Sequence, residues 1–143
     1  MSMVRISPAD TAFSKCIRER DDRFCQRCGR RYPKNSADLH CSHNFSRRYR
    51  NIRWHPLNAM ALGLTCHRWY GGSPRYSALW LENKIGLAGV EELRRLRDTP
   101  LKISKKTEKE IAAHYRRELK IMEAKRAAGI SGRIPFAAWL ETW

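Results

Sequence analysis

Cys25-Gln26-Arg27-Cys28, Leu39-His40-Cys41-Ser42-His43 and Asn58-Ala59-Met60-Ala61-Leu62-Gly63-Leu64-Thr65-Cys66-His67 decide how this chain is read. The span from Cys25 to His67 covers one third of the molecule and holds four of its 5 cysteines and four of its 5 histidines. Thiols and imidazoles gathered at short spacings are the pattern of a metal site. Two thiols separated by two residues can grip one ion across a tight turn, with Gly29 as the flexible exit. No strand–helix pattern of thioredoxin type surrounds this pair, which argues against a redox role.

Outward from that centre, the 143 residues suit one compact domain with a helical extension, and 42% apolar residues supply a modest core. Against 29 lysines and arginines stand 14 aspartates and glutamates, a formal charge of +15. So large a basic excess predicts a polyanionic partner, nucleic acid first among them. A basic membrane-surface protein is the rival class. Residues 1–8 carry no apolar signal segment, however, and no run approaches membrane-spanning length, so no membrane partner is expected. The expected compartment is the cytoplasm, where an odd number of cysteines reads as metal ligands or free thiols.

Residues 1–12, with Pro8 and few apolar positions, read as a loose arm. Phe13, Cys16 and Ile17 fall at i, i+3 and i+4 and predict a short helix over 13–22, with Cys16 facing the core. Turn residues fill 32–37, residues 39–45 read as a short strand, and 59–64 form an apolar run. A helix is expected from Cys66-His67 to Gly71-Gly72. Ser73-Pro74 then restarts a helix as N-cap and N1, and Gly86 ends it. Residues 88–97 make another amphipathic helix. Thr107-Glu108-Lys109-Glu110 reads as a capping box for a basic helix striped by Ile111, Tyr115, Leu119 and Met122. The tail from Arg133 to Trp143 has too many large apolar groups for water and should dock on the core or on another subunit. These readings divide the chain into a zinc-binding part, 1–100, and an extension, 101–143, serving as a DNA arm or a dimer helix.

Cys-x2-Cys, His40-x2-His43, Asn58 and Cys66-His67, in that order, resemble an HNH endonuclease of the ββα-metal class on a treble-clef zinc scaffold. Leu39-His40-Cys41-Ser42-His43-Asn44-Phe45-Ser46-Arg47-Arg48, with Arg53-Trp54-His55-Pro56-Leu57-Asn58, is similar more narrowly to the phage NinG (Rap) recombination nucleases, which act on branched DNA. The spacing is also similar to that of phage endonuclease VII resolvases. The resemblance spans residues 24–86. It implies an α+β fold, a small ββα-metal core with additional C-terminal helices, and metal-dependent hydrolysis of phosphodiesters, with Holliday junctions among the expected substrates. His43 matches the general base, Asn58 the residue that ties down the loop beneath it, and His67 a ligand of the catalytic ion.

The second catalytic ligand is read from strand parity. Residues two apart share a face, which groups Asp38, His40 and Ser42, and His40 is the chosen ligand with Asp38 behind it. Two imidazoles with few carboxylates suit Mn²⁺, Zn²⁺, Ni²⁺ or Co²⁺ better than Mg²⁺. A structural Zn²⁺ is expected on Cys25, Cys28 and Cys66. The family's second CxxC is reduced here to Gly63-Leu64-Thr65-Cys66, so the fourth donor is open between Cys41, His55 and water. Arg47 and Arg48 match the phage group's Ser-Arg-Arg, and Arg50, Arg53 and Arg68 extend a track for phosphates without base specificity. Trp54 and Trp69 are expected to pack beside the zinc rather than stack on bases. A homodimer would give two active sites for a symmetric junction. The alternatives are a non-catalytic DNA-binding module on a decayed nuclease scaffold, and a nuclease toxin or homing-type enzyme.

Overall fold

Ser7 sets the first helix. Its hydroxyl accepts from the Asp10 backbone N–H at 3.2 Å, while the Asp10 carboxylate accepts from the Ser7 N–H at 2.8 Å, and Pro8 occupies the first turn. The structure is a computed structural model that describes residues 4–140 and 143, and in it α1 runs from Pro8 to Arg20. The expected loose arm is thus helical from Pro8, and the helix ends two residues earlier than the apolar spacing suggested. Met1–Met3, and Glu141 and Thr142 of the tail, lie outside the described residues. Asp22 and Arg23 then turn the chain through left-handed backbone angles into the Cys25–Gly29 turn.

The remaining elements follow the hydrophobic pattern. β1, Leu39–His43, pairs antiparallel with β2, Ala59–Gly63, in a register that sets Leu39 opposite Gly63 and His43 opposite Ala59. A short 3-10 turn, Pro56–Asn58, leads into β2. β2 passes directly into α2, Leu64–Gly72, and α3 spans Pro74–Arg97 with a break at Gly86, whose φ of 81° an L side chain rarely adopts. α4 covers Lys105–Ala127. Its N-cap is Ser104, whose hydroxyl accepts from the Thr107 N–H at 3.1 Å, so the helix starts a turn before the expected box at Thr107. Among the described residues the architecture is mixed α+β, with four helices and one two-stranded sheet. Among the same residues no helix is long and apolar enough to cross a membrane.

Two apolar clusters hold these parts together. The larger joins Ala9, Phe13, Cys16 and Ile17 of α1 to Trp54, Ala59, and Ile111, Tyr115 and Met122 of α4, with Ile134 of the tail. Phe136, Trp139 and Trp143 pack against it, so the tail docks on its own core. The sequence-derived extension is therefore built into the molecule: α4 lies along α1, and burying each such large side chain contributes roughly 1.5–3 kcal/mol over leaving it exposed. Arg126 reinforces that contact through the Glu19 carboxylate at 2.8 Å. The smaller cluster gathers Cys25, Met60, Leu62, Cys66, Leu81 and Val90. Trp54 belongs to the first cluster and not to the one that holds Cys25 and Cys66, and it donates its indole N–H to Asp10 at 3.1 Å. Arg20 bridges the clusters' elements by donating to the Pro56 carbonyl at 2.7 Å and the Ala59 carbonyl at 2.9 Å.

Candidate functional site

The direct passage from β2 into α2 brings two distant imidazoles together. The Leu64 N–H donates to the Asp38 carbonyl at 2.9 Å, which anchors the start of α2 beside the start of β1. His67, on the first turn of α2, then faces His40, and their Nδ1 atoms lie 2.7 Å apart with the rings nearly perpendicular at 82°. His40 Nε2 lies 3.2 Å from the Ala37 carbonyl, an acceptor that holds the proton on Nε2 and leaves Nδ1 with its lone pair. Burial, with the neighbouring His40 adding to it, pushes the His67 pKa below its ordinary value and keeps the ring neutral. With the His40 Nδ1 lone pair free, the 2.7 Å contact is a hydrogen bond donated by His67 Nδ1–H, and release of that proton would leave two imidazole nitrogens of the type that borderline divalent ions take. Asp38 is exposed and does not line the cleft that holds these rings. Ser42 points away into the protein, its hydroxyl buried without a hydrogen-bond partner among the described residues.

His40 and His67 line one wall of a cleft of about 630 Å³, and His43, Arg47, Arg18 and Asp10 line it as well. His43 Nε2 is 3.0 Å from the Arg53 carbonyl. A carbonyl can only accept, so Nε2 carries the proton and Nδ1 is left as the basic nitrogen. Burial pushes the His43 pKa down to about 4, against a smaller upward pull from that carbonyl bond, and the ring is neutral throughout the physiological range.

Asn58 places the carbonyl. It is fully buried, its Oδ1 accepts from the Phe45 N–H at 2.8 Å, and its Nδ2 donates to the Phe45 and Ile52 carbonyls, each at 3.2 Å. One amide side chain thereby closes the loop of residues 44–58 that carries Arg53. These bonds hold in place the loop whose Arg53 carbonyl meets His43.

The five arginines separate sharply. Arg53 is buried, paired to both Asp10 oxygens, and donates to the Arg5 carbonyl at 2.8 Å, so it cannot reach a phosphate; its assignment to the DNA track is corrected. Arg47 is half-buried in the cleft wall, 3.9 Å from Asp10, with Nη2 donating to the Val4 carbonyl at 3.2 Å. Arg50 bonds Glu108 at 3.2 Å and keeps a partly exposed guanidinium. Arg48 and Arg68 are exposed. Asp10, which orients Arg53, Arg47 and Trp54 together, escaped the sequence reading, although Ser7-Pro8-Ala9-Asp10 carries the capping-box signal that finds it.

One ligand atom from each of Cys25, Cys28 and Cys66 falls within 4.8 Å of the others. These three residues lie close enough to bind a metal ion, which is compatible with a structural zinc. Burial tends to raise the Cys25 pKa, but backbone N–H groups of Cys28, Gly63 and Arg27 donate to its sulfur and bring it below the ordinary thiol value. Gly29 exits the turn at a φ of 77°, with its N–H donating to the Cys25 carbonyl at 2.9 Å. Arg27 donates to Cys66 Sγ at 3.6 Å and lies over the Trp69 ring at 3.7 Å.

No family model, curated protein or solved structure matches this chain. Its site is defined by its own side chains.

Neither residue expected as fourth donor joins the three thiols. Cys41 sits against the α1 cluster, where burial pushes its thiol up to about 12 although one edge remains exposed. Strand alternation explains the separation: Cys41 leaves β1 on the face toward α1, while the cysteine cluster belongs to the turn and helix beyond Gly63. His55 caps the 3-10 turn by accepting from the Leu57 N–H at 3.0 Å, and its ring lies 5.0 Å from that of Trp143.

Proposed function

We propose that this chain is a metal-dependent DNA endonuclease of HNH type, with β1, β2 and α2 as a ββα-metal core beside a treble-clef zinc turn. The observation that carries the reading is the convergence of His40 Nδ1 and His67 Nδ1, 2.7 Å apart, in the cleft that also holds His43. The general-base assignment rests on the Arg53 carbonyl, which holds the proton on His43 Nε2 and leaves Nδ1 to take a proton from water. Burial keeps the His43 ring neutral at pH 7, at the cost of basicity, so the role needs the pKa to rise when charged phosphate enters the cleft. His40 and His67 would hold the catalytic ion, which supplies Lewis-acid stabilisation of charge on the phosphate and leaving oxygen. Arg47, in the cleft wall, positions the scissile phosphate, and Arg48 and Arg68 bind the flanking backbone. The net charge of +15 supports a DNA partner, and the resemblance to recombination nucleases favours branched DNA.

The test is cleavage of a labelled four-way junction and a matched linear duplex with Mg²⁺, Mn²⁺, Zn²⁺ or Ni²⁺, beside a His43→Ala control. Metal-dependent cutting that the control abolishes supports the nuclease, and the junction-to-duplex ratio assigns the substrate class. Salt-sensitive binding without any cutting overturns the catalytic reading in favour of a DNA-binding module.

A further inference from the structure

A tetrahedral zinc site needs four donors, and the cluster of Cys25, Cys28 and Cys66 supplies three. The spacing Gly63-Leu64-Thr65-Cys66 puts Gly63 where a second Cys-x2-Cys turn would place its first thiol. Gly63 borders the sulfur cluster, because its backbone N–H donates to Cys25 Sγ. A Cβ built at Gly63 would lie 2.2 Å from the Tyr32 hydroxyl oxygen and 2.9 Å from its Cζ. A side chain at 63 would have to push that ring aside. The phenol oxygen instead fills the space about one bond length from where the missing thiol would begin.

Other features of Tyr32 agree with a donor role. Its ring packs against the apolar cluster containing both Cys25 and Cys66. Its backbone N–H donates to the Arg23 carbonyl at 2.9 Å, and the Phe24–Arg31 bridge closes the cysteine turn just before it, so the ring is held by the fold and not by a loose loop. Among the described residues, the Tyr32 hydroxyl makes no hydrogen bond, and it abuts Gly63. Arg30 lies over its ring at 5.1 Å and Arg27 donates to Cys66, so two guanidinium groups are placed to offset a cluster of anionic donors.

Building on the structural-zinc reading, we propose that the Tyr32 hydroxyl oxygen is the fourth ligand, making a three-sulfur, one-oxygen site in place of a four-cysteine one. Tyrosine oxygen is an accepted metal donor elsewhere, as in haem iron ligation. The pairing of Tyr32 with Gly63 follows directly: the residue that brings in the oxygen requires glycine at the position that would have carried the thiol.

The test uses the full-length protein. Metal content of the wild type is measured first, and one zinc per chain supports the site; a chain that binds no metal overturns the zinc reading and the ligand assignment together. Co²⁺ is then substituted, and the d–d absorption and the rate of Zn²⁺ transfer to a colorimetric chelator are compared for wild type, Tyr32→Phe, and Tyr32→Ala combined with Gly63→Cys. Tyr32→Phe keeps the ring's packing and should shift the Co²⁺ bands and speed Zn²⁺ loss by roughly tenfold or more, on the scale found when groups supporting metal ligands are removed. The double variant should show a four-thiolate Co²⁺ spectrum and recover slow release. Tyr32→Phe with an unchanged spectrum and unchanged release overturns the assignment while leaving the zinc site intact.

Discussion

Replacing Asn58 with alanine is expected to destabilise the protein by about 3 kcal/mol. The side chain is fully buried and makes three hydrogen bonds, to the Phe45 N–H, the Phe45 carbonyl and the Ile52 carbonyl. A net hydrogen bond is worth roughly 0.5–1.5 kcal/mol, and a buried group left unpaired costs about 1–3 kcal/mol. Three such bonds span roughly 1.5–4.5 kcal/mol; the Phe45 groups are part-buried and recover some of their loss through water, whereas the Ile52 carbonyl is enclosed, which places the sum near the middle of that span. With a urea slope of about 2 kcal/mol per molar, the unfolding midpoint should fall by roughly 1.5 M. Native-state amide exchange should also rise at Phe45, whose N–H loses its acceptor, while Phe13 and Ile17 in α1 change less. The reasoning is refuted by a midpoint shift below about 0.3 M, or by Phe45 protection that tracks global stability alone. Because the same loop carries the Arg53 carbonyl that orients His43, any cleavage activity should fall as well, by more than the unfolded fraction explains.

Acid should weaken the fold through two histidines. Burial lowers both His43 and His55 from 6.5 to about 4, so between those values the unfolded chain binds more protons and stability falls as pH drops. Each contributes roughly 3 kcal/mol at most, and urea midpoints measured at pH 7 and about pH 4.5 should differ clearly; equal midpoints would rule this out. Arg53→Ala takes the closest cation from buried Asp10, leaving the Ser7 and Trp54 donors and Arg47, and should cost about 1.5–3 kcal/mol, whereas Arg68→Ala should leave the melting temperature unchanged and reduce the salt dependence of DNA binding by about one phosphate contact. Thermal melts for the first and a salt titration for the second would expose a misassignment of either arginine. Treatment with a strong chelator, or Cys66→Ser, should lower the melting temperature, because a metal ion held by the three thiols would tie α2 to the Cys25–Cys28 turn; a melt unaffected by chelators would contradict a structural metal there.

Much of the core was legible because the local signals agreed with one another. Residues 39–45 read as a strand and contain β1, the apolar run 59–64 marked the place of β2 without its conformation, Gly71-Gly72 and Ser73-Pro74 marked the boundary between α2 and α3, and Gly86 marked the break within α3. The errors fall where a local rule had two valid placements. At α4 two capping signals, Ser104 and Thr107, lie one turn apart and hydrophobic spacing does not choose between them, while at α1 the Ser7–Asp10 box lies ahead of the apolar spacing that marked the helix. Arg53 reads in sequence like its neighbours Arg48 and Arg50, and its burial follows only from Asp10 arriving on a different element.

The sequence by itself determined which chemistry this protein carries: thiols at CxxC spacing, histidines on a strand and at a helix start, an asparagine ahead of β2, and a strong positive charge. These depend on residue identity and local periodicity, which a chain displays without folding. Only the tertiary structure decided which groups meet. The 2.7 Å approach of His40 to His67, the seating of Arg53 on Asp10, the docking of α4 and the tail on α1, and the Tyr32 oxygen at Gly63 are contacts between residues far apart in the chain. Their partners are selected by packing density and by the need to satisfy buried polar groups, and neither is a property of any short stretch.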